Sequence, residues 1–191
     1  GYAVFRLGEM HGRKTPRLTE LASVLNVVDN AAVTSNLRGE RWSKLTTNAM
    51  SSAIGPIVGA TLHDIYGDDD LRRLAIRSVL ESIRVGWAMG LSLEKICGME
   101  PEFWMATAGA ERPDYAPVEK GLEEFKKRIG SVLASSTLHD LRRGRRTEID
   151  TINGLVAAKG LEVGLPTPLH TQLTALTRSV EAGQIPQGKQ A

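Results

Sequence analysis

The sequence predicts a mainly α-helical protein, and three observations support this. Only 5% of the residues are aromatic, whereas 41% are hydrophobic, a balance that favours packed helices over a β-sandwich or barrel. After residue 39, apolar residues recur every three or four positions, which is the spacing of a helix buried on one side. Strand-like alternation is confined to the first 36 residues.

Residues 1–36 predict a strand, a helix and a second strand. Residues 2–8 alternate between two faces, as a strand does. Pro16 introduces a helix, because proline is favoured at the first helical position. The β-branched stretch 31–35 then predicts the second strand. The layout is typical of α/β domains, but two strands and one helix cannot cover both faces of a sheet.

From residue 39 onward the apolar spacing predicts five helices, over residues 40–62, 70–91, 118–134, 146–163 and 168–182. Asp68–Asp70 are expected to cap the second helix, because carboxylates favour helix N-termini. A hydroxyl within residues 135–137 should cap a short helical turn, with Thr137 and Asp140 as a capping box. Thr147 is expected to start the fourth helix, and Gly164 to close it. Residues 98–117 predict an irregular connection with one short helix.

Charge and cysteine content argue against several classes of protein. The net charge of +2 is too small for a surface that binds nucleic acid or a membrane throughout. Arg142–Arg146 is a basic run without interleaved aromatic residues; a solvated turn is favoured over phosphate or nucleic-acid binding. The single cysteine, Cys97, is expected to be a small buried hydrophobe in a cytoplasmic protein. No run approaches the roughly 18 apolar residues of a membrane span, and we expect no metal ion.

Lys44, Asn48 and Ser52 form a polar row, because their spacing places them on one side of a helix. Such a row is compatible with a solvated face. It also suits a site for an anionic, oxygen-rich small molecule, where the ammonium binds a carboxylate or protonates an alkoxide and the amide fixes orientation. The row carries no acidic partner for the lysine along three turns, which favours the binding site.

Four motifs resemble the ketopantoate reductase (2-dehydropantoate 2-reductase) family in order and spacing over nearly the whole chain. They are Gly39-x-x-Trp42-x-Lys44-x-x-x-Asn48, Ser135-Ser136-Thr137-x-x-Asp140, Arg146-Thr147-Glu148-Ile149-Asp150-x-Ile152-Asn153-Gly154 and Gly164-x-Pro166-x-Pro168. The resemblance implies a helical C-terminal domain like that of 6-phosphogluconate dehydrogenase at residues 37–191. Residues 1–36 would then be the remnant of an NADP-binding Rossmann domain.

The resemblance also implies an activity, the NADPH-dependent reduction of ketopantoate to pantoate in pantothenate biosynthesis. Lys44 would be the general acid that protonates the carbonyl oxygen. Glu148 would bind the substrate hydroxyl or hold Lys44 in place, and Asn48 and Ser136 would bind the substrate. The implied partner is a small 2-keto acid, and a homodimer is compatible with the family.

Two departures from the family pattern bear on this assignment. Ser52 stands where the family usually has a second asparagine, so the substrate-binding side chain is shorter. The Gly-x-Gly-x-x-Gly loop that holds dinucleotide phosphates is missing from the chain. We therefore expect the chain alone to be inactive and to bind NADPH poorly. The alternative is a non-catalytic helical module for dimerisation or small-acid binding.

Overall fold

The computed structural model describes residues 5–108, 113–129 and 134–188. Within these, two strands, β1 (Phe5–Leu7) and β2 (Ala31–Val33), are accompanied by helices α1 (Pro16–Leu25), α2 (Leu37–Ser52), α3 (Ile54–Val58), α4 (Leu62–Gly67), α5 (Asp69–Ala88), α6 (Pro101–Ala106), α7 (Ala116–Ile129), α8 (Ser136–Arg142), α9 (Asn153–Glu162) and α10 (Pro168–Glu181). A 3-10 turn (Ile149–Thr151) precedes α9. The predicted first strand (residues 2–8), the predicted third helix (residues 118–134) and the predicted connection (residues 98–117) lie partly outside the described residues.

The predicted strand–helix–strand unit is confirmed between residues 5 and 33. β1 and β2 pair in parallel, with Phe5 opposite Ala31, and α1 connects them. Pro16 stands at the first position of α1, as predicted. Asn26 ends the helix and joins it to β2, because its side chain donates to the Ala22 carbonyl at 2.8 Å and accepts from the Ala31 N–H at 2.9 Å.

The helical part is built around α5, the longest helix, which packs against α2, α4, α6, α9 and α10. Its N-terminus is capped by Asp68, whose carboxylate accepts from the Leu71 N–H at 3.1 Å, as the acidic run predicted. The core lies between these helices and consists of fully buried side chains, among them Met50, Ile54, Ile65, Tyr66, Ile76, Ile83 and Trp104. The predicted mainly helical fold is therefore confirmed.

The predicted helix over residues 40–62 is wrong, because it is divided into α2, α3 and the start of α4. Pro56 has no N–H to continue the hydrogen-bond ladder of α2. Gly59 ends α3 in the left-handed conformation, at φ 76°. Thr61 and Asp64 then form a capping box that starts α4. Because the apolar spacing continues through these breaks, the spacing alone predicted one continuous helix.

The predicted starts of α8 and α9 agree with the structure in part. The predicted hydroxyl cap of α8 is confirmed, because Ser135 accepts from the Leu138 N–H at 3.2 Å. The predicted capping box of Thr137 and Asp140 is wrong, since Thr137 is fully buried within α8. Thr147 does not cap a helix; its hydroxyl donates to Glu181 at 2.7 Å instead. The chain therefore makes a 3-10 turn before α9 begins at Asn153. Gly164, at φ 70°, follows the end of α9, as predicted.

Two further predictions concern a membrane-spanning helix and the burial of Cys97. In the described part of the chain, no helix combines the length with the apolar character that crossing a membrane would need. Cys97 is 6% exposed, so the prediction that it is a buried hydrophobe is confirmed.

Candidate functional site

Helix α2 carries Lys44 and Asn48 on its outer side and is fixed to α5 on its inner side. Asn36 caps the helix by accepting from the Gly39 N–H at 3.2 Å. Trp42 is buried and donates from its indole nitrogen to the Ser82 carbonyl at 2.9 Å. Gly86 lies beneath this indole, where a Cβ atom would come within 2.6 Å of Trp42 Nε1. The close crossing of the two helices therefore depends on a glycine.

The predicted polar row does not stay on one surface. Lys44 and Asn48 are exposed, whereas Ser52 is only 3% exposed. Ser52 is the last residue of α2, and this helix is in contact with both α3 and α8. The first two side chains are free to meet a ligand in solution, and Ser52 lies beneath the surface.

Ser136 lies at the first position of α8, beside the junction of α2 and α3. The neighbouring Ser135 hydroxyl is 3.5 Å from the place where a Cβ on Gly55 would stand, which locates the start of α8 against α3. Ser136 itself is exposed. A hydroxyl at this position can donate to a carboxylate or another oxygen of a bound molecule.

Glu148 is an exposed carboxylate between two residues that are tied down. Thr147 donates to Glu181, and Asp150 accepts from Arg178 Nε at 2.7 Å and from Arg146 at 3.3 Å. The hydrogen bond from Arg178 lowers the pKa of Asp150 below its ordinary value. Asp150 is thus engaged in structure, while no hydrogen bond or ion pair holds the Glu148 carboxylate in the described ranges.

The Glu148 segment and helix α2 are brought together by one hydrogen bond. Asn153, the first residue of α9, donates from Nδ2 to the Ala49 carbonyl at 3.0 Å. Ala49 directly follows Asn48 in α2. The elements that carry Lys44, Asn48 and Glu148 are therefore neighbours in the fold.

The resemblance implied that Glu148 could hold Lys44 in place, but these two side chains do not meet within the described residues. Both side chains are exposed, and no ion pair or hydrogen bond joins them among the residues that the structure describes. Two clefts of about 380 and 330 Å³ lie elsewhere, the first around Arg73 and Tyr115 and the second around His63 and Leu71. Lys44 and Glu148 are therefore exposed on neighbouring parts of the chain without being enclosed.

The loop between β1 and α1 does not suit the pyrophosphate of a dinucleotide. The Glu9 carboxylate lies beside the start of α1, where it accepts from Thr15 Oγ1 at 2.7 Å and from Arg17 Nε at 2.6 Å. These hydrogen bonds, with that from Arg17 the strongest, lower the pKa of Glu9 to about 2. A negative charge therefore stands beside the start of α1, where it would repel a phosphate bound at the helix N-terminus.

No group of three or more His, Cys, Asp and Glu side chains within the described ranges is arranged to hold a metal ion.

A buried polar cluster around His170 was not predicted from the sequence. His170 lies on α10 and is fully buried, with hydrogen-bond partners on α5 and α9. A signal was present, since His170 lies on the same side of α10 as the buried residues Leu173, Thr177 and Val180.

Comparison with known proteins identifies one family. A family model described as "Ketopantoate reductase PanE/ApbA C terminal" matches residues 36–181. The 2-dehydropantoate 2-reductase of Mesorhizobium japonicum is 31% identical over 184 residues, which are 94% of this chain and 49% of that protein. The enzyme of the same name from Pyrococcus horikoshii is 28% identical over 153 residues, which are 78% of this chain and 42% of that protein.

Solved structures show the same similarity. A PanE/ApbA family ketopantoate reductase from Ralstonia eutropha JMP134 superposes with a TM-score of 0.68 at 25% identity, covering 94% of this chain and 52% of that one. D-mandelate dehydrogenase, solved with NADH and anilino(oxo)acetate, gives 0.71 at 20% identity, covering 93% and 66%. The second comparison shows the fold alone. The chain spans about half the length of the curated relatives it matches.

Proposed function

Because the chain belongs to the ketopantoate reductase PanE/ApbA family, we propose that it is the substrate-binding half, with the catalytic lysine, of an NADPH-dependent 2-keto acid reductase. The single observation that carries the proposal is the contact between Asn153 and Ala49. It sets the Glu148 segment beside the part of α2 that follows Lys44 and Asn48. The proposed substrate is 2-dehydropantoate, and the proposed setting is pantothenate biosynthesis in the cytoplasm.

Lys44 is proposed to act as the general acid. Reduction of a ketone leaves negative charge on the carbonyl oxygen, and a nearby ammonium both neutralises that charge and supplies the proton. The ammonium of Lys44 is exposed and is not engaged by an acidic side chain in the described part of the chain. It is therefore free to bind a substrate oxygen.

The other candidate residues are proposed to hold the substrate in place. Asn48 would donate its amide hydrogens to a substrate oxygen, and Ser136 would donate to the carboxylate. Glu148 would accept from the substrate hydroxyl or hold the Lys44 ammonium. Ser52 is assigned the remaining substrate contact, although its burial requires the substrate to reach below the surface between α2 and α3.

NADPH binding is proposed for the whole protein, outside the residues described here. The β1–α1 loop does not fit the dinucleotide, since the Glu9 carboxylate, paired with Arg17, stands beside the start of α1. We propose that residues 1–36 are the edge of a Rossmann domain and that residues 37–191 form the substrate domain. The matched relatives are about twice as long as the chain, which leaves room for the cofactor domain in their sequences.

A second candidate function is a small-acid-binding or dimerisation module without catalysis. The exposure of Lys44 and Glu148 and the poor fit of the β1–α1 loop to a dinucleotide favour it. Oxidation of NADPH by the whole protein, measured with a panel of branched 2-keto acids, distinguishes the two. Turnover of 2-dehydropantoate supports the reductase, whereas binding of these acids without turnover supports the module.

The role of Lys44 is tested in the same protein. Lys44→Ala is expected to lower kcat on the order of 10²-fold or more, the usual scale for a positioned acid. Arg41→Ala is the matched control, because Arg41 is an exposed cation on the same helix. It should leave kcat within about two-fold of the parent, since it removes no proton donor. An unchanged rate in Lys44→Ala would refute the assigned role.

A further inference from the structure

A buried polar cluster lies beneath the proposed substrate face. Its centre is formed by Asn153 at the start of α9 and His170 in the first turn of α10, and both side chains are fully buried. A buried amide and imidazole are costly unless they are hydrogen-bonded. Their partners come from α2 and α5, so the cluster links four helices.

The hydrogen-bond partners determine which ring nitrogen of His170 carries the proton. His170 Nε2 is 2.9 Å from both the Ser78 carbonyl and the Ser82 hydroxyl. Because the carbonyl can only accept, Nε2 donates to it, and the Ser82 hydroxyl donates to the same carbonyl at 3.0 Å. Nδ1 is then an acceptor, and it receives a hydrogen bond from Asn153 Nδ2 at 3.2 Å. Burial lowers the pKa of His170 to about 4, which keeps the imidazole neutral as this arrangement requires.

The orientation of the Asn153 amide is fixed in turn by two acceptors. One of its hydrogens goes to His170 Nδ1 and the other to the Ala49 carbonyl, at 3.0 Å. A reversed amide would place Asn153 Oδ1 against the Ala49 oxygen, and two acceptors repel. The orientation is kept even though the buried Oδ1 atom has no hydrogen-bond partner among the described residues.

These contacts govern how the segment around Glu148 lies relative to the part of α2 around Lys44. Lys44 and Glu148 are exposed and do not pair in the described part of the chain, so their separation depends on what holds their backbones. Ile149 and Ile152 are buried and anchor the segment between Glu148 and Asn153. Trp42, which donates to Ser82, anchors the preceding turn of α2 to the same stretch of α5.

We propose that Asn153 and His170 are positioning residues, a buried clamp that sets the Glu148 segment against the stretch of α2 bearing Lys44 and Asn48. The inference rests on the proposed function, since the clamp affects catalysis only if those side chains act on a 2-keto acid. Neither residue touches the substrate. They act through the backbone of Ala49 and through the 3-10 turn that follows Glu148.

The clamp is tested by three variants of the whole protein and one control. Asn153→Leu keeps a branched side chain of similar size but removes the donors, and His170→Leu removes the acceptor. Both should lower kcat by about 10²-fold, the scale of a misplacement of about 1 Å, with a much smaller change in KM. His170→Asn places a side-chain oxygen near the position of Nδ1 and should recover most of the lost rate.

The matched control is Thr177→Val. Thr177 is also fully buried on α10, but its hydroxyl donates to the Leu173 carbonyl within the same helix. This variant should lose stability and keep the parental kcat. Equal losses of kcat in Thr177→Val and Asn153→Leu, or parental kcat in a folded Asn153→Leu, would overturn the clamp.

Amide hydrogen exchange supplies a readout that does not depend on activity. In Asn153→Leu the amides of Thr151 and Ile152, which bond to the Glu148 carbonyl, should exchange at least ten-fold faster, because the turn is no longer held. Unchanged exchange contradicts the clamp, whatever the activity. Parental protein that reduces no 2-keto acid contradicts the proposed function, and the exchange experiment then decides the clamp alone.

Discussion

At the scale of single residues, charge and hydrogen-bonding capacity separate side chains that hold the fold from those free to bind. Asp150 and Glu148 lie in the same turn, yet Asp150 is paired with Arg178 and Arg146, whereas the Glu148 carboxylate remains available in the described structure. In the same way, the charge of Glu9 is engaged by Arg17 and Thr15, whereas the ammonium of Lys44 is not paired in the described structure. Among these charged residues, the candidates for substrate binding are the ones whose charge is not paired within the described structure.

Replacement of Glu148 should mainly affect substrate binding. We expect Glu148→Ala to raise KM by about ten-fold or more, because a hydrogen bond to a charged group contributes about 1.5–3 kcal/mol. Steady-state kinetics of the whole protein measure this. Glu162→Ala is the control, since Glu162 is an exposed carboxylate whose described partner is the adjacent surface residue Lys159. A Glu148→Ala variant with parental kcat and KM would show that the carboxylate has no part in the reaction.

His170 should make stability depend on pH in mildly acidic solution. Its pKa is about 4 in the folded chain against 6.5 in the unfolded one, so the unfolded state binds the proton more readily. The stabilisation is complete above pH 6.5 and is lost as pH falls towards 4. At 1.36 kcal/mol per pKa unit, the loss is roughly 3 kcal/mol.

Urea unfolding at several pH values measures this dependence, with His170→Asn as the reference. Glu81 accepts from the His170 N–H, and burial raises its pKa, which opposes the trend. Because both proteins contain Glu81, the difference between them isolates the imidazole. Parallel stability profiles for the two proteins would contradict the assigned protonation of His170.

At the scale of secondary structure, the sequence predicts elements well where local chemistry alone decides them. The Asp68 cap, Pro16 and Pro168 at helix starts and Gly164 after α9 all agree with the structure. The predicted helix over residues 40–62 failed because apolar spacing persists while Pro56 and Gly59 interrupt the backbone. Thr147 failed for a different reason, since its hydroxyl is taken by Glu181 from the distant helix α10.

The close crossing of α2 and α5 gives a prediction for one helix position. Gly86→Ala should destabilise the chain by about 1–3 kcal/mol, the usual cost of overpacking, because the new Cβ would lie 2.6 Å from Trp42 Nε1. Gly154→Ala is the contrasting variant, since its Cβ would meet its nearest neighbour at 3.5 Å. Thermal unfolding should show that Gly154→Ala is tolerated. Equal stability of both variants would mean that α2 does not need the glycine.

At the scale of the whole molecule, sequence reasoning predicted the helical fold and the candidate residues but not their degree of enclosure. Lys44, Asn48 and Glu148 were chosen from spacing and resemblance, and the structure adds that their elements are neighbours through Asn153 and Ala49. Spacing within one helix cannot show what covers that helix, so the exposure of these side chains and the burial of Ser52 could not be predicted.

Open strand edges and an apolar surface on the β1–α1–β2 unit predict self-association. Val27 and Val28 are 88% and 76% exposed at the end of α1, beside two strands that pair only with each other in the described structure. Sedimentation at increasing concentration should show oligomers, because unpaired edges and apolar patches attract further copies. The double variant Val27→Lys, Val28→Lys should weaken association. A chain that stays monomeric at high concentration would contradict the prediction.

The burial of Cys97 provides a practical means of measuring the geometry of the site. It is the chain's single cysteine, and at 6% exposure it is shielded from maleimide reagents while the protein is folded. Cysteines introduced by Arg41→Cys and Arg143→Cys, both at exposed positions, would therefore accept spin labels or fluorophores selectively. Distances between such probes would report directly whether a ligand draws α2 and the Glu148 segment towards each other.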